Sequence, residues 1–210
     1  MKTVIIDYGS GNLRSAEKGT VRAAEGLDMD VLVTSSPEEV RTADRIILPG
    51  VGAFADCMKG LLSLDGMRDA LEEAVIKEAK PFLGICVGMQ LLADAGLEHG
   101  RTAGLGWIGG TVEEIKSDTL KVPHMGWNDL IIDQGSHPVL NDIKTGEHAY
   151  FVHSYFFKAK DQKNVLAHVE YGGYISAMIG RDNIIGTQFH PEKSQELGLR
   201  LIRNFLKWAP

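Results

Sequence analysis

The first half of the chain alternates between continuous apolar runs and stretches with helical spacing. The continuous apolar run Thr3–Ile6 predicts a buried strand, and Val31–Val33 and Arg45–Leu48 predict two further strands. The stretch from Leu13 to Ala24 has the spacing of a helix, although Gly19 weakens that prediction. Because strands alternate with helices, this half of the chain predicts a parallel sheet.

The pattern continues with three helical segments and a fourth strand. Ser36-Pro37-Glu38-Glu39 places serine at the N-cap, proline at the first helical position and glutamate at the third, which is a capping box. Helical patterns then cover Ala53–Leu62 and Met67–Lys80. Phe82 and Leu83 form a short apolar run, which predicts the next strand.

Short strands separated by glycine and polar turns characterise the chain from Gly104 onward, which favours antiparallel pairing. The predicted strands are Ile108–Ile115, Leu130–Ile132, Ala149–Val152, Val165–Tyr171, Ile175–Ile179 and Ile184–Phe189. Ser194 is the predicted N-cap of a last helix with apolar residues at helical spacing. The chain is therefore expected to be a single α/β domain over residues 1–210, with a mostly parallel central sheet flanked by helices and a more antiparallel C-terminal half.

Composition and charge narrow the class of protein. A chain of 210 residues that is 44% hydrophobic and 24% charged can form one well-cored globular domain. A net charge of −6 argues against nucleic-acid binding, and the two cysteines lack the spacing of a metal site or redox motif. We expect a cytoplasmic protein without signal peptide, membrane segment, metal or cofactor.

A thiol stands at the centre of the motif Gly84-Ile85-Cys86-Val87-Gly88, between a predicted strand and a predicted helix. This layout is typical of a nucleophile elbow, a sharp turn that projects the reactive residue from the sheet. Gly84 and Gly88 would allow strand and helix to approach closely, and the helix N-terminus would favour the thiolate. We interpret Cys86 as a nucleophile rather than a buried structural cysteine, with the Val87 amide as an oxyanion donor.

A partner for the thiol follows the last predicted strand, in His190-Pro191-Glu192. A thiol nucleophile needs a base, and the base needs an orienting acceptor. Residues i and i+2 of an extended chain point the same way, so His190 and Glu192 are predicted to lie side by side. The alternative for His190 taken alone is a structural histidine.

Two glycine-rich loops follow predicted strands. Asp7–Asn12 resembles a dinucleotide loop, but Arg14 stands where the G-x-G-x-x-G fingerprint needs its third glycine, so a turn or an interface is favoured. Pro49–Gly52 is predicted to lie at the carboxyl end of its strand, where sites form in parallel sheets. This loop would offer backbone amides to an oxyanion, or it is a plain strand-to-helix turn.

The segments G-I-C-V-G-M-Q and H-P-E resemble those of the class I glutamine amidotransferases, which release ammonia from glutamine through a Cys-His-Glu triad. The resemblance implies that Cys86, His190 and Glu192 are catalytic. It implies an oxyanion and glutamine site formed by Gly50, Val51, Gly52, Val87, Gln90, His153, Ser154 and Tyr155. For Gln90 the alternative is a polar residue on an exposed helix face.

Five segments narrow the resemblance to the glutaminase subunits of imidazole glycerol phosphate synthases. They are Asp7–Leu13, Pro49–Phe54, Pro123–Asn128, Tyr150–Tyr155 and His190–Ser194. The resemblance implies a heterodimer of histidine biosynthesis, in which ammonia passes to a separate (βα)8-barrel cyclase that makes imidazole glycerol phosphate and an aminoimidazole carboxamide ribotide. It places Met125, Gly126 and Trp127 near the site or the interface, the alternative being ordinary core.

Three alternative functions stay open from the sequence. The chain could serve another synthase, such as pyridoxal phosphate synthase, or act as a free-standing cysteine hydrolase that is active without a partner. A non-enzymatic module would tolerate damage to the triad, yet all three triad residues are present. We also expect the isolated subunit to hydrolyse glutamine poorly, because a peptide near Val51 would turn its N–H toward the oxyanion only when the partner is bound.

Overall fold

The computed structural model describes all residues from 1 to 210, and its secondary structure alternates as the first half of the sequence predicts. The strands are β1 Lys2–Ile6, β2 Asp30–Thr34, β3 Arg45–Gly50, β4 Phe82–Cys86, β5 Ala95–Gly96, β6 Thr102–Ala103, β7 Gly110–Glu114, β8 His124–Asp129, β9 Ile131–Ile132, β10 His148–His153, β11 Tyr155–Ala159, β12 Val165–Glu170, β13 Tyr174–Arg181 and β14 Ile184–Thr187. The α-helices are α1 Leu13–Ala23, α2 Pro37–Arg41, α3 Phe54–Ser63, α4 Met67–Leu71, α5 Val87–Gln90 and α6 Gln195–Lys207.

An eight-stranded sheet forms the centre of the fold, in the order β2-β1-β3-β4-β14-β13-β12-β9. The first five strands in this order, β2, β1, β3, β4 and β14, are parallel to one another. The last three, β13, β12 and β9, each pair antiparallel to the strand before them. Two smaller sheets, β10-β8 and β11-β7-β5-β6, complete the C-terminal half. The predicted mostly parallel sheet with a more antiparallel second half is therefore confirmed.

The core is one cluster of 59 buried residues that follows the central strands. Every residue of β3, β4 and β14 is buried, as their continuous apolar runs predict. Strand β2, which the sequence predicts, lies at the edge of the sheet, and its residues are exposed or half-buried. Gly19 is buried in α1, and a Cβ at this position would lie 3.1 Å from the Cβ of Glu192. The glycine that weakened the helix prediction therefore lets α1 pack against a predicted catalytic residue.

Several elements differ from their predictions. The segment predicted as the helix Met67–Lys80 is α4 followed by a π-helix at Glu72–Lys77. Strands β5, β6, β8 and β11 were not predicted: β5 and β6 have two residues each, β8 exposes its large apolar residues, and β11 follows β10 after the single residue Ser154. Ser36 caps α2 by accepting a bond from the Glu39 amide at 3.5 Å, whereas the Glu39 carboxylate binds Lys2 instead of closing the capping box. None of the helices has the length and apolar character needed to cross a bilayer.

Ser194 precedes α6 but does not cap it through its side chain, contrary to the prediction. Its hydroxyl donates to the carbonyl oxygen of His190 at 2.7 Å and accepts from the amide of Tyr150 at 3.0 Å. The serine thus fastens the turn after His190 to strand β10, because its side chain serves two backbone groups that are distant in sequence.

Candidate active site

Cys86 is the last residue of β4 and has an unusual backbone conformation, with φ 56° and ψ −114°. A residue with a side chain adopts such angles only where the surrounding structure enforces them. The enforcement comes from close packing at the two flanking glycines. A Cβ on Gly84 would lie 2.6 Å from the carbonyl oxygen of Gly88, and one on Gly88 would lie 1.8 Å from the carbonyl oxygen of Leu48. The nucleophile elbow predicted from the glycine spacing is therefore present.

The helix after Cys86 is shorter than the sequence suggested. Helix α5 covers only Val87–Gln90, a single turn, so its dipole is small and cannot by itself hold the thiol as a thiolate. The amide of Val87 is the first of this turn and has no acceptor within the helix, which leaves it free to donate to another group.

The imidazole of His190 and the carboxylate of Glu192 form a buried pair. Nδ1 of His190 lies 2.8 Å from Oε1 of Glu192, and each side chain is only 3% exposed. The contact does not arise from an extended chain as expected, because Glu192 lies in a 3₁₀ turn at Pro191–Lys193. On the other side of the ring, Nε2 of His190 is buried without a hydrogen-bond partner.

The charge state of His190 depends on its neighbours. Burial disfavours the imidazolium, but Cys86 and Glu192 outweigh that effect and raise the pKa of His190 to about 9. A histidine with a raised pKa carries a proton at neutral pH and stabilises an adjacent thiolate.

A cavity of about 200 Å³ opens beside the thiol. This is smaller than the roughly 300–1,000 Å³ typical of sites for drug-sized molecules, and it suits a small metabolite. It is lined by Val51, Gly52, Cys86, Val87, Gln90, Glu98, Val152, His153, Ser154, Tyr155 and His190. The structure thus brings together all the residues that the sequence predicted for the site except Gly50 and Glu192, which lie behind the cavity wall next to Cys86 and His190.

A chain of amide groups connects the cavity wall to the thiol. Gln90 is buried, which excludes an exposed polar position, and its Nε2 donates to the carbonyl of Tyr155 at 3.0 Å and to Oε1 of Gln188 at 3.1 Å. Nε2 of Gln188 points to Sγ of Cys86 at 3.8 Å. Gln188 was not predicted from the sequence, although it lies in the segment after β14 and two residues before His190. The same two-residue spacing on the other side of His190 led to the prediction for Glu192. Glu98 was missed as well, because no motif surrounds it.

The loop Pro49–Gly52 approaches the elbow from the neighbouring strand, where Gly50 pairs with Cys86. The amide of Val51 does not point at the cavity as a free donor, because it donates to Oγ of Ser10 at 3.3 Å. The same hydroxyl donates to the carbonyl of Val51 at 2.6 Å, and Sγ of Cys57 donates to that carbonyl at 3.3 Å. The loop Asp7–Asn12, predicted to serve a turn or an interface, therefore holds the Val51 peptides through Ser10.

Strand β8 exposes large apolar side chains near the cavity. Met125 is 62% exposed and Trp127 is 48% exposed, so the alternative that these residues belong to the core is wrong. Their strand pairs with β10, whose last residue, His153, lines the cavity.

The chain belongs to the class I glutamine amidotransferases, because the family model described as glutamine amidotransferase class-I matches residues 4–208. It is 60% identical over 214 residues to imidazole glycerol phosphate synthase subunit HisH of Rhodospirillum rubrum, a match that covers 100% of both chains. The subunits of the same name from Cereibacter sphaeroides and Brucella abortus strain 2308 are 58% and 56% identical, again over 100% of each chain. The family recognised from the sequence motifs is thereby confirmed.

Solved structures show the same fold at low sequence identity. A crystal structure of a glutamine amidotransferase superposes with a TM-score of 0.72 at 20% identity, covering 97% of each chain. A glutamine amidotransferase from Thermotoga maritima gives a TM-score of 0.66 at 17% identity, covering 99% of this chain and 96% of that one.

Proposed function

We propose that this chain is the glutaminase subunit of an imidazole glycerol phosphate synthase. It hydrolyses glutamine to glutamate and ammonia through Cys86, His190 and Glu192, and it delivers the ammonia to a cyclase subunit in histidine biosynthesis. The observation that carries this proposal is the buried His190–Glu192 pair, whose free Nε2 faces the same cavity as the thiol of an enforced nucleophile elbow. Relatives named as this subunit, at 56–60% identity over the whole chain, support the choice of synthase.

The residues account for each step of glutamine hydrolysis. The Cys86 thiolate attacks the carboxamide carbon, and the Val87 amide stabilises the oxyanion. Nε2–H of His190 gives its proton to the departing ammonia, which leaves a γ-glutamyl thioester. The neutral ring then removes a proton from water, whose oxygen attacks the thioester and releases glutamate and the thiolate. Glu192 accepts Nδ1–H throughout and so keeps the ring oriented.

The cavity wall offers complementary groups to the rest of the substrate. Glu98 places a carboxylate in the cavity, and its Oε2 accepts from the amide of Phe54 at 2.8 Å, which fixes its position. An anchored carboxylate suits the α-ammonium group of glutamine. Both amide hydrogens of Gln90 are engaged by the protein, so its oxygen is the group it has left to offer. Gly52, His153, Ser154 and Tyr155 complete the wall.

The partner in this proposal is a (βα)8-barrel cyclase that docks over the exposed face of β8. Met125 and Trp127 form an apolar surface there, and Val51 beside the cavity is 42% exposed. Exposed aromatic and methionine side chains are the kind that protein interfaces bury. A partner seated on both regions would cover the mouth of the cavity, so that ammonia leaves toward the cyclase.

The alternatives have less support. A free-standing hydrolase does not account for the exposed apolar face, and a non-enzymatic module does not account for an intact triad around a strained cysteine. A glutaminase of pyridoxal phosphate synthase would share the triad, but the relatives at high identity carry the other synthase's name.

The test is Cys86→Ala in the complex of this chain with the cyclase of the same organism. We expect glutamate release to be lost, because no other thiol reaches the cavity, while synthesis from free ammonia continues at the cyclase. Cys57→Ser is the matched control: it removes the other thiol but keeps a donor for the Val51 carbonyl, so glutamate release should persist. Glutamate production by the Cys86→Ala complex at the parent rate would disprove the triad.

A further inference from the structure

Two histidines outside the triad face each other at the cavity wall, where His153 lines the cavity and His124 lies behind it. His124 in β8 and His153 at the end of β10 are paired in register, and Nδ1 of His124 lies 2.9 Å from Nε2 of His153. Both side chains are buried, and His124 is stacked on Tyr171 with ring centroids 3.9 Å apart. Neither ring contacts a carboxylate, so the contact is between two neutral rings and not an ion pair.

The direction of each hydrogen bond follows from groups that can only donate or only accept. The carbonyl of Tyr155 lies 2.9 Å from Nδ1 of His153 and can only accept, so this nitrogen carries the hydrogen and Nε2 of His153 accepts. Nδ1–H of His124 must then be the donor between the rings, which leaves its Nε2 as an acceptor. Nδ2 of Asn128 lies 3.3 Å from that nitrogen.

The orientation of the Asn128 amide is fixed independently. Its nitrogen also donates to the carbonyl of Glu170 at 3.2 Å, and its oxygen accepts from the amide of Asp129 at 2.8 Å. A flipped amide would set like groups against both neighbours. The bonds therefore run in one direction, from Asn128 through His124 and His153 to the Tyr155 carbonyl.

The end of this chain of bonds is part of the cavity. The Tyr155 carbonyl also accepts from Gln90, whose other amide hydrogen binds Gln188 beside the thiol. A change at His124 would therefore reach the position of Gln90 and of the backbone at 154–155 without touching Cys86 or His190. Burial lowers the pKa of His124 to about 4 and that of His153 to about 3, in keeping with neutral rings.

We propose that His124 and His153 are positioning residues of the glutamine site, acting through a one-directional chain of hydrogen bonds that starts at Asn128 and fixes Gln90 and the Tyr155 carbonyl. The inference rests on the proposed glutaminase function. It predicts that loss of the chain weakens glutamine binding while the chemical step, carried by the triad, changes little. The same chain of hydrogen bonds connects the cavity to β8, the strand that exposes Met125 and Trp127.

The matched variants are His124→Phe and His168→Phe. Phenylalanine at 124 keeps the stack on Tyr171 and removes the hydrogen bonds. His168 is likewise stacked on a tyrosine, Tyr174, at 4.2 Å, and its Nδ1 contacts Asp133 at 2.8 Å, but it does not line the cavity. A third variant is His124→Asn. The Nδ2 donor of asparagine is bonded to Cγ, as Nδ1 is in histidine, so this variant is expected to lose less glutamine affinity than His124→Phe.

Glutamine affinity is measured by calorimetry in the complex with the cyclase, with Cys86→Ala in every protein so that no turnover occurs. Adding His124→Phe should weaken binding about tenfold, the size expected for one buried hydrogen bond, whereas His168→Phe should not. In complexes that retain Cys86, KM should rise with kcat changed less than about twofold. Equal losses of glutamine affinity in His124→Phe and His124→Asn would overturn the inference. Equal losses in His124→Phe and His168→Phe would overturn it as well.

A second readout does not depend on any substitution. Nitrogen NMR of the imidazole rings in the parent should find both His124 and His153 protonated at Nδ1 and unprotonated at Nε2. Protonation at Nε2 of either ring would contradict the direction of the chain. Failure of the Cys86→Ala parent to bind glutamine at all would instead contradict the proposed function, and the inference with it.

Discussion

At the residue scale, the proposed triad depends on His190, whose ring has a protein partner on one side only. Glu192 holds Nδ1 at 2.8 Å, and Nε2 is left for the chemistry. The glycine spacing around Cys86 and the His-Pro-Glu segment made these residues predictable. Gln188 and His124 were not predicted, because their partners are 98 and 29 positions away in the sequence; for Gln188 the only local signal is its two-residue spacing from His190.

Loss of the base should be nearly as damaging as loss of the thiol. We expect His190→Asn to lower kcat for glutamine on the order of 10⁴-fold or more and Glu192→Gln to lower it less, by analogy with other triads, in which the orienting acid is the least costly member. The measurement is glutamate release by the complex with the cyclase. Because the members act together, the double variant Cys86→Ala with His190→Asn should be no worse than either single variant; a further large loss would contradict a triad.

At the element scale, the continuous apolar strands were predictable and the strands of mixed character were not. The sequence of β4 reads as buried and is buried throughout. Strand β8 alternates between exposed positions and positions that are buried or half-buried. Its large apolar residues, Met125 and Trp127, are on the exposed side, unlike those of a core strand. The apolar residues after Gln90 continue a helical pattern, yet helix α5 ends there after one turn. Leu91 and Leu92 are buried in the core, but they lie in a turn.

The strand-end loop Pro49–Gly52 is the element most suited to control. Ser10 Oγ binds both the amide and the carbonyl of Val51, so the amide cannot serve the oxyanion in this arrangement. We expect Ser10→Ala to raise glutamate release by the isolated subunit and to reduce the ratio by which the cyclase stimulates it. An oxyanion donor is worth roughly 10²–10³ in kcat, which sets the upper limit of the effect.

Ser10→Thr, which keeps the hydroxyl, is the control for this prediction. A proline at position 50 is a poorer test, because a Cβ there would lie 2.7 Å from the amide nitrogen of Gly88. Unchanged rates of the isolated Ser10→Ala subunit, together with unchanged stimulation by the cyclase, would show that Val51 is not restrained by Ser10.

At the scale of the whole molecule, the topology of the central sheet assembles the site. Strands β3, β4 and β14 are adjacent and parallel, so their carboxyl ends deliver Gly50, Cys86 and the segment leading to His190 to one edge. The C-terminal half adds β8 and β10, which carry the histidine pair against that edge. The arrangement of β3, β4 and β14 follows from the alternation of strands and helices in the sequence. The position of β8 and β10 requires long-range pairings that the sequence does not reveal.

The buried histidines should also make the stability of the whole fold sensitive to acid. A histidine in the unfolded chain binds a proton near pH 6.5, whereas burial lowers the pKa of His124 to about 4 and that of His153 to about 3. Between these values the unfolded state binds more protons, so the free energy of unfolding falls as the pH drops. Each histidine should cost about 2 kcal/mol between pH 7 and pH 5, since one pKa unit corresponds to about 1.4 kcal/mol.

Denaturant unfolding of the parent and of His124→Phe at pH 7 and pH 5 measures this effect. The variant lacks one of the histidines whose pKa is lowered, so its loss of stability on acidification should be smaller than that of the parent by about 2 kcal/mol. His190 acts in the opposite sense, because its pKa is raised to about 9 and its stabilisation is lost only as the pH rises toward that value. It is present in both proteins and cancels in the comparison. An equal loss of stability in parent and variant would mean that His124 is protonated in the folded protein, which would also remove the neutral ring on which the hydrogen-bond chain depends.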